Sequence, residues 1–162
     1  MHPVSGLWIC LLNKVHDPFH AMDSASEKKH FNELSFYTLS HPDVKYFIHQ
    51  HAVDAFQAQT AGAQTKPIEL VFALIGLYLY IEKQYSGRQV QEAHVKLSAK
   101  KQAWPRHPLP ELRGSINVST VLNSEPGPQR DELIRAWCAS VWNAYQGWQS
   151  AISDLANREL RL

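Results

Sequence analysis

The stretch "IELVFALIGLYLYI", residues 68–81, constrains this chain more than any other. Its only charge is Glu69, near the start, so it has almost no polar face. A helix crossing a bilayer needs about 20 apolar residues, and this run is too short for that. It predicts a central helix buried on most sides, running from Pro67 to about Tyr85, with Ser86 and Gly87 marking its end. A helix of that kind is stable only when other elements surround it.

The rest of the chain supplies amphipathic segments of the right kind. "DSASEKKHFNELSFYTLSHP" predicts a first helix with Ser24 as N-cap and Glu27 closing a capping box. Phe31, Leu34 and Thr38 share one face, and the helix stops before Pro42. A second helix restarts there, capped by Ser40 or His41, with Pro42 in its first turn and Asp43 on the dipole. Val44, Phe47, Ile48, Ala52, Ala55 and Phe56 give its buried stripe. "RQVQEAHVKLSAKKQAW" predicts a shorter helix with Val90, Ala93, His94 and Leu97 inward and Lys96, Lys100 and Lys101 outward. Residues 103–127 are proline-rich and read as an ordered loop pinned by Trp104, Leu109, Leu112, Ile116 and Val118. A last long helix follows Pro128, with Ile134, Trp137, Cys138, Val141, Tyr145, Trp148 and Ile152 along its stripe. No pair of alternating strands appears. The expectation is an all-α fold: one domain over residues 1–162, a bundle of four or five helices, with residues 1–22 irregular or short-helical.

Charge narrows the function classes. Sixteen basic and fifteen acidic residues give a net charge of +1, which offers no reason to expect nucleic acid or a membrane surface as partner. Residues 7–12 are apolar, but no basic stretch or small-residue cleavage site accompanies them, so no signal peptide is read. Cys10 and Cys138 are not a close-spaced metal pair, and each reads as a buried thiol in a reducing cytoplasm. HExxH, GxGxxG, phosphate-binding-loop and nucleophile-elbow motifs are all missing. "NVS" at Asn117 is a glycosylation triplet that a cytoplasmic chain would not use.

One stretch breaks the apolar pattern. In "FIHQHAVDAFQAQ", residues 47–59, each residue turns about 100° around the helix. His51 then falls between Phe47 and Ile48, inside the stripe, with Gln59 close to Ile48. Asp54 sits on one shoulder, and His49 lies about 160° from His51, too far to share an ion with it. His51 and Asp54, three apart, share one face. Completed from other helices by Glu33, with His30 beside it, and by His94, they make a candidate site. Imidazole and carboxylate inside a bundle can hold a divalent metal or transfer a proton. The same residues can equally be hydrogen-bonded core groups that fix helix register.

Residues 49–59 ("HQHAVDAFQAQ") and 114–145 ("GSINVSTVLNSEPGPQRDELIRAWCASVWNAY") resemble an uncharacterised family of small bacterial helical proteins, and the likeness runs from Phe31 onward. The resemblance implies an independent helical domain and carries no activity, because the family's function is unknown. Relatives of this kind begin with a Cys-rich segment, and some carry a histidine in the central helix. Here residues 1–16 hold one cysteine and "VFALIGL" holds no histidine, so no metal role transfers from those features.

Two functions remain open. One is a cytoplasmic helical bundle binding a divalent metal or small molecule at a buried cluster of His51, Asp54, Glu33 and His94, with proton transfer as a further step. The other is a non-enzymatic protein that binds a protein partner or forms a homo-oligomer through its Trp-rich last helix. Trp137 and Trp142 project about 140° apart. Trp137 is therefore expected in the core, and Trp142 against a neighbouring element or another chain.

Overall fold

The computed structural model describes residues 24–162. Among them lie seven α-helices, one 3-10 turn and no strand. The helices are α1 (Ser24–Leu39), α2 (Ile48–Thr60), α3 (Pro67–Ile81), α4 (Gly87–Ser98), α5 (Val118–Leu122), α6 (Pro128–Ala144) and α7 (Gln149–Leu160). The all-α expectation holds, while the count of four or five helices is too low. The expectations for residues 1–22 and for Cys10 lie outside the described residues.

The apolar run forms the axis, as expected. Ten residues of α3 are buried, among them Leu74, Ile75, Leu77 and Leu79. Around it, α2 packs on α3 and α6, and α7 and α4 cover the remaining sides of α3. α1 lies on α2 and α5. One hydrophobic core joins these elements, from Leu34 to Ala156. Among the described residues no helix is long and apolar enough to cross a membrane.

Three boundaries differ from expectation, each for a local reason. α2 begins at Ile48 and not at Pro42. The Asp43 carboxylate accepts the N–H groups of Lys45 (3.1 Å) and Tyr46 (3.0 Å), which holds a turn in place of a helical start. Phe47 then takes a left-handed conformation, φ 51°, directly before the helix. That turn is locked from outside. The Gly87 N–H donates to the Tyr46 carbonyl at 2.5 Å, and a Cβ on Gly87 would stand 1.9 Å from the Phe47 oxygen. Ser86 therefore starts α4 and does not end α3: its hydroxyl accepts the Gln89 N–H, and Gln89 Oε1 accepts the Ser86 N–H at 2.8 Å.

The last helix is split at Tyr145–Trp148, where a 3-10 turn (Gln146–Trp148) separates α6 from α7. The aromatic rings there are anchored to other elements. The Tyr145 hydroxyl donates to the Ala58 carbonyl (2.7 Å) and Trp148 Nε1 to the Pro108 carbonyl (3.1 Å). The proline-rich segment carries the short α5, capped by Asn117, whose side chain accepts the Thr120 N–H at 2.9 Å.

Candidate functional site

The two central residues of the polar stripe are buried. His51 is 0% exposed and Asp54 is 1% exposed, both in the middle of α2. Neither ring nitrogen of His51 has a hydrogen-bond partner, and neither does Asp54 Oδ2. Asp54 Oδ1 accepts from Gln50 Nε2 at 3.0 Å, one turn earlier on the same helix. Burial, reinforced by the charge of Arg135, pushes the His51 imidazole down to about 3, so it is neutral at ordinary pH. Burial raises the Asp54 carboxyl well above the usual range, partly offset by Gln50.

The room for Asp54 comes from a glycine. A Cβ on Gly76 of α3 would lie 1.9 Å from Asp54 Oδ2, so the carboxyl group fills the space a side chain would need. His51 lies flat on the Tyr80 ring of α3, with centroids 3.5 Å apart and planes 9° apart. Tyr46, from the turn before α2, meets His51 edge-on, and the Tyr46 and Tyr80 hydroxyls bond to each other at 2.7 Å. On the α6 side the buried Cys138 thiol donates to the His51 carbonyl at 3.4 Å. Burial raises that thiol well above its ordinary value, so it is an inert neutral group.

Tyr46, Tyr80, Gly76 and Cys138 were not read as site residues from the sequence. Gly76 alone left a legible signal, a glycine inside an otherwise bulky apolar helix. The tyrosines are ordinary members of apolar stripes until the partner helix is known.

The other candidates stand elsewhere. Glu33 is on the exposed side of α1, lining a separate cleft with Tyr37 and Asp131. His30 Nδ1 is 2.6 Å from the Ser119 hydroxyl of α5. His94 stacks on Phe72 and bonds through Nε2 to the Phe72 carbonyl at 3.0 Å. His49 Nδ1 bonds to the Thr38 hydroxyl at 2.8 Å. Among the described residues no group of three or more His, Cys, Asp or Glu side chains is placed to hold a metal ion. The set His51, Asp54, Glu33 and His94 is thus reduced to His51 with Asp54, because α1 presents Glu33 away from α2.

Gln59, the other polar member of the stripe, is fully engaged. Its amide donates to the carbonyls of Arg113 (3.0 Å) and Ile116 (2.7 Å), and its oxygen accepts from Trp137 Nε1 (2.9 Å). Trp137 is in the core, as expected. Trp142 faces a neighbouring element: it is 1% exposed, and its Nε1 donates to Glu82 Oε1, just past α3, at 2.9 Å. Both indoles are buried because α6 is covered on two sides, by α2 and by α3. Neither of these two indoles reaches the surface, whereas Trp148 is half-buried.

Fold and site together define a small all-helical domain whose central pair of helices encloses a buried histidine and aspartate with three side-chain atoms lacking hydrogen-bond partners. The chain belongs to the family described as "Family of unknown function (DUF5946)", whose model matches residues 19–146. The match runs from before α1 to the end of α6 and leaves out α7. No curated protein and no solved structure matches the chain.

Proposed function

We propose that this domain binds a divalent cation through His51 and Asp54. One observation carries the reading: three polar atoms of two neighbouring side chains are buried without partners. Each such group costs on the order of 1–3 kcal/mol. A neutral imidazole nitrogen and a carboxylate oxygen are common donors to transition-metal ions, and an ion would engage atoms that now bond nothing. Two protein ligands leave coordination positions for water or a small anion. Binding needs the ionised form of Asp54 that burial disfavours, so affinity would rise with pH.

The test is elemental analysis of untagged chain purified without chelator, with calorimetric titration of zinc, manganese and cobalt. The expected result is about one equivalent of one of these ions, lost in both His51→Leu and Asp54→Asn, with little change in the melting of the metal-free variants. Wild-type protein that is metal-free and binds none of the three more tightly than the variants do would overturn the reading.

A structural role is the second reading, favoured by the fit of the Asp54 carboxyl into the space above Gly76 and by its bond to Gln50. Under that reading His51→Leu leaves the protein folded, and more stable, because an apolar side chain replaces an unbonded polar one.

A further inference from the structure

We propose that the cleft between the end of α1 and the start of α6 docks a basic side chain of a protein partner. The cleft has a volume of about 670 Å³ and is lined by Glu33, Phe36, Tyr37, His41, Arg130 and Asp131 among others. Its chemistry follows from which hydrogen bonds are already used.

Asp131 is held from two sides. The Tyr37 hydroxyl donates to its Oδ1 and His41 Nε2–H to its Oδ2, both at 2.7 Å. The Asp43 N–H donates to His41 Nδ1 at 3.3 Å, which fixes the tautomer that points its proton at Asp131. The Gly127 N–H donates to the Tyr37 oxygen at 3.0 Å. The Arg130 guanidinium gives Nη2 to the carbonyls of Leu122 and Ser124, leaves Nε buried without a partner, and lies over the Tyr37 ring, 4.7 Å from its centre. The Tyr37 hydroxyl and His41 Nε2–H are thus committed to Asp131, while each carboxylate oxygen keeps acceptor capacity. Glu33 is exposed and has no partner among the described residues. Two carboxylates with spare acceptor capacity, set against one guanidinium that is itself buried, call for a cationic ligand with several N–H groups, an ammonium or guanidinium.

The rim indicates where that group comes from. Phe36 is 78% exposed and Leu39, one turn on, is 60% exposed, which puts two large apolar side chains on one face of α1 beside the cleft. A free amine has no use for that rim. A lysine or arginine flanked by apolar residues meets both parts, with the charge in the cleft and its neighbours on Phe36 and Leu39. This site is separate from His51 and Asp54 and stands whether or not they bind an ion.

The experiment is amide NMR on the full chain, titrated with the capped tripeptides Leu-Lys-Leu, Leu-Arg-Leu and Leu-Gln-Leu, and with n-butylammonium. The basic peptides should shift the signals of Ser40, His41 and Gly127, and the glutamine peptide should not. Glu33→Gln and Phe36→Ala, both at exposed positions, should each weaken binding roughly fivefold at unchanged melting temperature. The proposal is overturned by no response to either basic peptide at millimolar concentration. It is also overturned by equal binding of the glutamine peptide, by butylammonium binding as tightly as the peptides, or by full affinity in both variants. Shifts at the same residues that depend on protein concentration alone would assign the face to a second copy of the chain and reject the peptide.

Discussion

His51 is the residue whose environment makes the sharpest demand on the chain. Unfolded, its imidazole titrates at an ordinary 6.5, whereas burial holds it at about 3 in the fold. Between these values the unfolded chain binds a proton that the folded chain refuses. This group therefore lowers stability as pH falls from 6.5 towards 3, by up to about 1.4 kcal/mol per pH unit. His51→Leu removes that contribution. Urea unfolding at pH 7 and pH 5 should show the variant gaining on wild type upon acidification, and a constant difference would mean His51 is not held neutral. Gly76 makes a second demand at this scale. Gly76→Ala drives a methyl group against Asp54 Oδ2 and should cost about 1–3 kcal/mol. In an Asp54→Ala background the same change should cost much less. Equal costs in the two backgrounds, measured by a double-mutant cycle, would mean the two residues do not compete for the same space.

Elements are joined here by side chains reaching between them, and Gln59 makes three such bonds. It ties α2 to the 113–116 backbone and to Trp137 of α6. Gln59→Leu leaves two carbonyls and an indole N–H without their partner. It should cost more than about 2 kcal/mol and should speed amide exchange selectively around residues 113–117. Unchanged exchange there would refute the joining role. Five helical stretches were legible because periodicity reports burial directly, α3 from its apolar run alone, whereas α5 was read as part of a loop and α6 with α7 as one helix. Their ends were less so. The start of α2 depends on the Asp43 side chain capturing two backbone N–H groups, and the break after α6 on bonds from Tyr145 and Trp148 to distant carbonyls. Of the candidate site, the wheel placed His51 and Gln59 inside the stripe and Asp54 on its shoulder, because all three lie on one element. It could not choose between Glu33 and Tyr80 as the group facing His51. That choice rests on which helix packs against which, and only Gly76 hinted at α3.

The described residues form one core, and its largest side chains sit where α6 is enclosed. Trp137 and Trp142 are both buried there, against α2 and against the end of α3. Trp142→Ala should accordingly cost about 3–5 kcal/mol in folding stability and leave the sedimentation behaviour of the folded fraction unchanged. A shift in oligomeric state at unchanged stability would contradict its burial within its own chain. A single core joining the described helices should also give a helical circular dichroism spectrum that is lost in one cooperative transition. Two separated transitions would show that part of the bundle folds independently.

The tight seat of Asp54 against Gly76 also sets an order on genetic change. A lineage can reach a side chain at position 76 through a small residue at position 54, with every intermediate folded. In the reverse order it must first pass through the crowded combination. The two positions should therefore show epistasis. In a library randomised at both, folded clones should rarely combine a long acidic or amide residue at 54 with anything larger than glycine at 76.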